Sequence, residues 1–192
     1  MSNYGRFSDN PQTEWVSDPG EDRNMLLLRN FSYTDPDGKV WDAPVSSKIN
    51  GASIPMPLWS TVGSPYTGDY RKASIVHDVA CQKAKTVVNR KAADKMFYFA
   101  CLAGGCSVPQ ARMLYLGVRI GAWASPKTGA LSKLTPKKLL FRLSSTPRLT
   151  EELLMRETFN HIAGKFSKLK EANDFAKLES LVDEELKQVT DL

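Results

Sequence analysis

Three helix-length segments follow one another between residues 70 and 123 with four residues between successive pairs, and this spacing limits the folds open to the chain. In the first, Tyr70 to about Lys85, apolar residues Ala73, Val76, Ala80 and Cys81 fall at helical intervals. Asn89 is the expected N-cap of the second, Arg90 to Ala103, and Gly104-Gly105 its stop. Ser107 caps the third, Val108 to Trp123, with Pro109 in its first turn and Ser125-Pro126 beyond its end. A link as short as residues 86–89 makes the first two helices antiparallel neighbours.

The flanking segments read differently. Residues 1–24 are rich in Asn, Ser, Asp, Pro and Gly and are expected to be an irregular arm, with Trp15 as the residue that pins it. Met25 to Val45 is expected to be a β-hairpin, with Asp35-Pro36-Asp37-Gly38 as its turn. Residues 55–68 carry Pro55, Pro57, Gly63, Pro65 and Gly68, so they stay irregular apart from a short helical turn around Trp59. The expected organisation is an arm (1–24), a core (25–124), a basic linker (125–149) and a C-terminal helical appendage (150–192). The fold class is mainly α with a small β-hairpin, an α+β chain.

In the appendage, Met155, Phe159, Ile162, Phe166 and Leu169 step by four, three, four and three, a narrow apolar stripe. The stripe continues through Phe175, Leu178, Val182, Leu186 and Val189. A coiled coil, a helical hairpin and a helix docked on a partner all fit it. Phe159, Ile162, Phe166 and Leu169 are the expected partner-binding residues, either for another protein or for self-association. His161 is expected at that interface.

Charge is distributed unevenly. From Lys95 to Thr150 there is no acidic residue and there are nine Lys or Arg, whereas residues 151–192 hold ten acids against six bases. Either the basic block meets an anionic surface such as lipid headgroups, or it pairs with the acidic C-terminal part of this or a neighbouring chain. Nucleic acid is the weaker partner, because no aromatic-interleaved basic motif is present. No run of residues is long and apolar enough to span a membrane, and the polar first ten residues carry no secretory signal. The three cysteines, Cys81, Cys101 and Cys106, are expected to be thiols, with a Cys81–Cys101 bridge as the alternative. With His77 they also form a candidate zinc set, although the tight C-x-x-C spacing is missing.

The residues with most chemical potential are His77, Asp78 and Asp94. Neighbours on a helix point about 100° apart, so His77 and Asp78 serve different surroundings. Antiparallel helices bring Asp94 back level with His77, where a carboxylate can orient an imidazole general base. Asp78 is then free to hold a hard cation such as calcium, with carbonyls of the Asn50-Gly51 loop as further ligands. Trp59, Ser53 and Tyr98 are expected at the rim of the pocket. The competing expectation is a buried polar network that sets helix register.

The ordered set Asn50-Gly51-Ala52-Ser53-Ile54-Pro55, Trp59, Tyr70-Arg71, His77-Asp78 and Ala93-Asp94-x-x-Phe97-Tyr98 resembles a widespread phage and bacterial family of uncharacterised domains. That family has the pattern D-G-A-S-[IV]-P…W…H-D-x-x-Y…A-D-x-x-F. The resemblance implies a virion, tail or lysis setting, with synthesis in a host cytoplasm. More distantly, His-Asp on one helix and Asp on the next is similar to the core of phospholipases A2. This implies His77 as base, Asp94 as its orienter and Asp78 as calcium ligand. Two positions depart from the pattern: Cys81 stands where an aromatic is usual, and Asn50 where an aspartate is usual. The expected function is a phage virion- or tail-associated accessory protein. The alternative is a calcium-dependent lipid or ester hydrolase.

Overall fold

The computed structural model describes residues 4–17, 24–51, 53–64, 67–125, 147–169 and 174–191. Most of the expected basic linker, including the Leu139-Leu140-Phe141 patch, lies outside them. The class is α+β. Among the described residues there are six strands, β1 (Arg6–Phe7), β2 (Thr13–Trp15), β3 (Met25–Leu27), β4 (Phe31–Thr34), β5 (Val40–Ala43) and β6 (Lys48–Ile49). The helices are α1 (Trp59–Val62), α2 (Arg71–Lys83), α3 (Val87–Ala103), α4 (Val108–Ala124), α5 (Pro147–Lys165) and α6 (Phe175–Asp191). Short 3-10 turns occupy Met56–Leu58 and Phe166–Lys168. No helix among the described residues is long and apolar enough to cross a membrane.

The chain divides into two compact units, residues 1–53 with 63–111, and residues 54–62 with 112–192. In the first, the expected hairpin is β4–β5, paired Phe31↔Ala43 to Thr34↔Val40. The Asp35 side chain ties its turn by accepting from the Asp37 and Lys39 amides. Met25–Leu27 leaves that hairpin for a second sheet. The two antiparallel sheets run β1-β4-β5 and β2-β3-β6. The outer strands β1 and β2 come from the segment expected to be an irregular arm. Strand pairing supplies partners that the polar composition of this arm concealed: Arg6 and Phe7 pair with Thr34 and Tyr33, and Thr13–Trp15 with Leu27–Met25.

Both sheets pack on α2, and α2 packs on α3. Residues 73–79 of α2 are all buried, about two turns of helix, so this helix is covered on every side rather than on one stripe. That placement buries His77 and Asp78 together. Helix α3 starts at Val87 with Thr86 as its cap, accepting from the Asn89 amide, three residues earlier than the expected Asn89 cap. Thr86 is extended at φ −128°, the conformation an N-cap needs, while Asn89 is already helical. Gly105, at φ +110°, turns the chain out of α3 in a conformation that favours glycine.

In the second unit the C-terminal stripe resolves as a helical hairpin. Phe159, Ile162 and Phe166 are buried, as are Phe175, Leu178, Val182 and Leu186 of α6. The residues expected to hold a partner are thus mostly consumed by packing inside this chain, because α6 presents a complementary stripe at the same spacing. Leu169 is half-buried, and its carbonyl accepts from Arg112. His161, expected at an interface, is exposed and meets Glu185 at 3.1 Å. Arg119, 7% exposed, reaches Asp183 at 2.8 Å, so at least part of the basic block is answered by the chain's own acidic C-terminal segment.

Candidate functional site

His77 lies eight residues before Lys85 and Asp94 nine after it, so the α2–α3 turn brings them level. His77 Nε2 meets Asp94 Oδ1 at 2.8 Å, and both side chains are wholly buried. Arg90, one turn earlier on α3, places Nε 3.1 Å from the same oxygen. The Phe97 ring covers His77, with centroids 4.7 Å apart. The His77–Asp94 pair is legible in the sequence, whereas Arg90 is an addition from the structure. The i,i+4 spacing from Arg90 to Asp94 was the available signal.

Burial alone would lower the basicity of His77. The neighbouring Cys81 sulfur and the Asp94 carboxylate outweigh it and push the imidazole up to about 9. At neutral pH the ring is therefore charged, and it has no face on solvent. A general base needs the opposite: a neutral ring with one nitrogen open to its proton donor.

Cys81 approaches the same ring nitrogen as Asp94. Its Sγ lies 3.3 Å from Nε2 and 3.8 Å from Nδ1. A nucleophile–base–orienter relay uses the two ring nitrogens separately, so this arrangement is not such a relay. Cys101 and Cys106 are buried free thiols and stand apart from the only metal-capable group of three found among the described residues, His77, Cys81 and Asp94.

Asp78 points elsewhere, as helix geometry requires. It is 3% exposed, and Oδ2 accepts from the Asn50 amide at 3.0 Å and the Gly51 amide at 2.7 Å. Gly51 sits at φ +88°, which lets the loop turn its N–H groups to the carboxylate. This corrects the expected cation site in one respect: the loop offers Asp78 N–H donors where carbonyl oxygens were expected. Burial pushes Asp78 up to about 6, against the lowering effects of His77, the two amides and Arg90.

Asp78 lines a cavity of about 610 Å³, together with Gly51, Thr13, Trp15, Arg71 and Lys72 among others. Trp15 is 63% exposed there. None of the three expected rim residues, Trp59, Ser53 and Tyr98, lines it. Trp59 belongs to the second unit and bonds the Ile54 carbonyl, Tyr98 is buried, and Ser53 is half-buried. Part of the cavity wall comes instead from β2, through Thr13 and Trp15, whose placement depends on pairing with β3.

The chain is similar to two proteins of Sinorhizobium fredii (strain NBRC 101917 / NGR234). The uncharacterized protein y4jT is 30% identical over 164 residues, 82% of this chain and 47% of that protein. The uncharacterized protein y4iH is 36% identical over 103 residues, 54% of this chain and 42% of that protein. The match spans less than half the length of either relative. No solved structure matches. Residues 25–118, which carry the loop at Asn50, the His77-Asp78 pair and Asp94, match the model of DUF1353, a protein family of unknown function.

Proposed function

We propose that this chain is a phage virion- or tail-associated accessory protein whose His77–Asp94–Arg90 network holds α2 and α3 in register and performs no hydrolysis. The observation that supports this reading is the complete burial of His77 and Asp94, with Nε2 engaged by the carboxylate. A buried polar network whose members are paired favours one helix register over its alternatives. The virion setting rests on the resemblance of the loop and His-Asp pattern to domains of phages. Two experiments test the reading. Mass spectrometry of purified particles should find the chain at fixed copy number, and recovery only in the soluble lysate would refute the setting. Phospholipid- and ester-release assays, with and without calcium, should show no activity for the full chain. Calcium-dependent release that disappears in His77→Gln would overturn the non-catalytic role.

The alternative, a calcium-dependent lipid or ester hydrolase, draws on a different observation. Asp78 faces a cavity, and its Oδ1 has no hydrogen-bond partner among the described residues. In this reading Asp78 holds the cation, and Lys72 and Arg71 face an anionic headgroup. Calorimetry on the wild type and Asp78→Asn decides it: calcium binding lost in the variant supports the hydrolase, and no binding in either excludes it.

A further inference from the structure

The geometry points to His77, Cys81 and Asp94 as a site for a transition metal of the zinc class, bound through Nε2, Sγ and a carboxylate oxygen. The inference goes beyond the function proposed above and does not depend on the virion setting.

Cys81 Sγ and Asp94 Oδ1 both lie against Nε2, at 3.3 and 2.8 Å, and the donor atoms of the three residues all lie within 4.8 Å of one another. Donors around a tetrahedral zinc, with Zn–N and Zn–S lengths of about 2.0 and 2.3 Å, stand roughly 3.3–3.6 Å apart. Small outward movements of the carboxylate and the sulfur from Nε2 would bring those two separations to that size, and the third is within 4.8 Å.

His77 and Cys81 are four apart on α2, the same i,i+4 chelate that pairs metal-binding histidines on one helix face. Asp94 adds a third ligand from α3, so the ion would tie the two helices together. The donor set suits zinc or its analogues, because thiolate and imidazole favour these over calcium or magnesium.

A thiolate and a carboxylate neutralise a divalent ion. Arg90 already bonds Asp94, and its Nη2 is buried with no acceptor among the described residues, leaving a donor for a water or hydroxide in the fourth position. Cys81 is half-buried while the other two ligands are fully enclosed, so entry runs along the Cys81 side. Binding releases the proton on His77 Nε2, and the three residues bind as imidazole, thiolate and carboxylate. The bonds formed are to the metal, and no oxidation state changes.

The test is cobalt(II) titration of the full chain after chelator treatment, read by absorption. One equivalent of cobalt should bind with a thiolate-to-cobalt charge-transfer band and tetrahedral d–d bands, and one equivalent of zinc should bleach both. Cys81→Ser should lose the charge-transfer band and weaken zinc binding at least about 100-fold, more than outer-shell losses cost. Cys106→Ser should leave both unchanged. Zinc should also raise the thermal midpoint of the wild type and not of Cys81→Ser, with circular dichroism confirming that the variant folds. No charge-transfer band in the wild type, or a band that survives Cys81→Ser, would overturn the assignment. These readouts are independent of particle assembly and of lipid release.

Discussion

The raised basicity of His77 makes a quantitative prediction about stability and pH. An imidazole at 6.5 in the unfolded chain and about 9 in the fold binds its proton more tightly when folded. Its contribution is therefore complete below about pH 6.5 and is lost as pH rises through about 9. The difference corresponds to about 3 kcal/mol for this fully buried ring. Urea unfolding followed by circular dichroism between pH 6 and 9.5 measures it. Cys101, whose thiol burial also raises, destabilises the fold at the alkaline end of the same window. The comparison is therefore made against His77→Gln, which can still donate to Asp94 but does not titrate. The wild-type profile should fall relative to the variant by about 3 kcal/mol across the window. Parallel profiles, differing by less than about 1 kcal/mol over the window, would refute the charged, carboxylate-paired state of His77.

Asp94→Asn should cost about 3–5 kcal/mol in urea unfolding at pH 7, because it strips the counter-charge from His77 and Arg90 in a buried setting; a loss under about 1 kcal/mol would show that neither needs it. Asp78 titrates at about 6 in the fold against 3.8 unfolded, so its contribution is complete below about pH 3.8 and lost as pH rises through 6. Asp78→Asn, which still accepts from Asn50 and Gly51, should flatten the profile between pH 4 and 6 and raise stability at pH 7 by up to about 3 kcal/mol. A variant less stable than the wild type at pH 7 would contradict this. Ile162→Ala should cost about 2–5 kcal/mol with no change in elution on size exclusion, because Ile162 is fully buried within the chain; loss of an oligomer at unchanged stability would return the stripe to a partner-binding role.

Local signals in the sequence placed much of this architecture. Periodicity and the Gly104-Gly105 stop located α2 to α4, and Asp35-Pro36-Asp37-Gly38 located the β4–β5 turn, because such features act over a few residues. The level pairing of His77 with Asp94 was also legible, since a short turn between two helices leaves little freedom of register. The C-terminal stripe was readable as amphipathic helix, but its periodicity carries no information about what covers it.

Tertiary structure decided the rest. Strands β1 and β2 come from a polar segment whose extended state depends on ladder partners such as Thr34 and Leu27, distant in the chain. The cavity at Asp78 is walled in part by that segment and otherwise by β3, β6, the Gly51 loop and α2, so its lining could not be read from local sequence. The orientation of the Asn50–Gly51 amides toward Asp78 depends on a backbone turn at φ +88°, which residue identity permits but does not impose. Helical spacing sets which side chains share a face. What meets that face, and so whether His77 is a base, a strut or a ligand, is set by contacts made only when separated segments pack together.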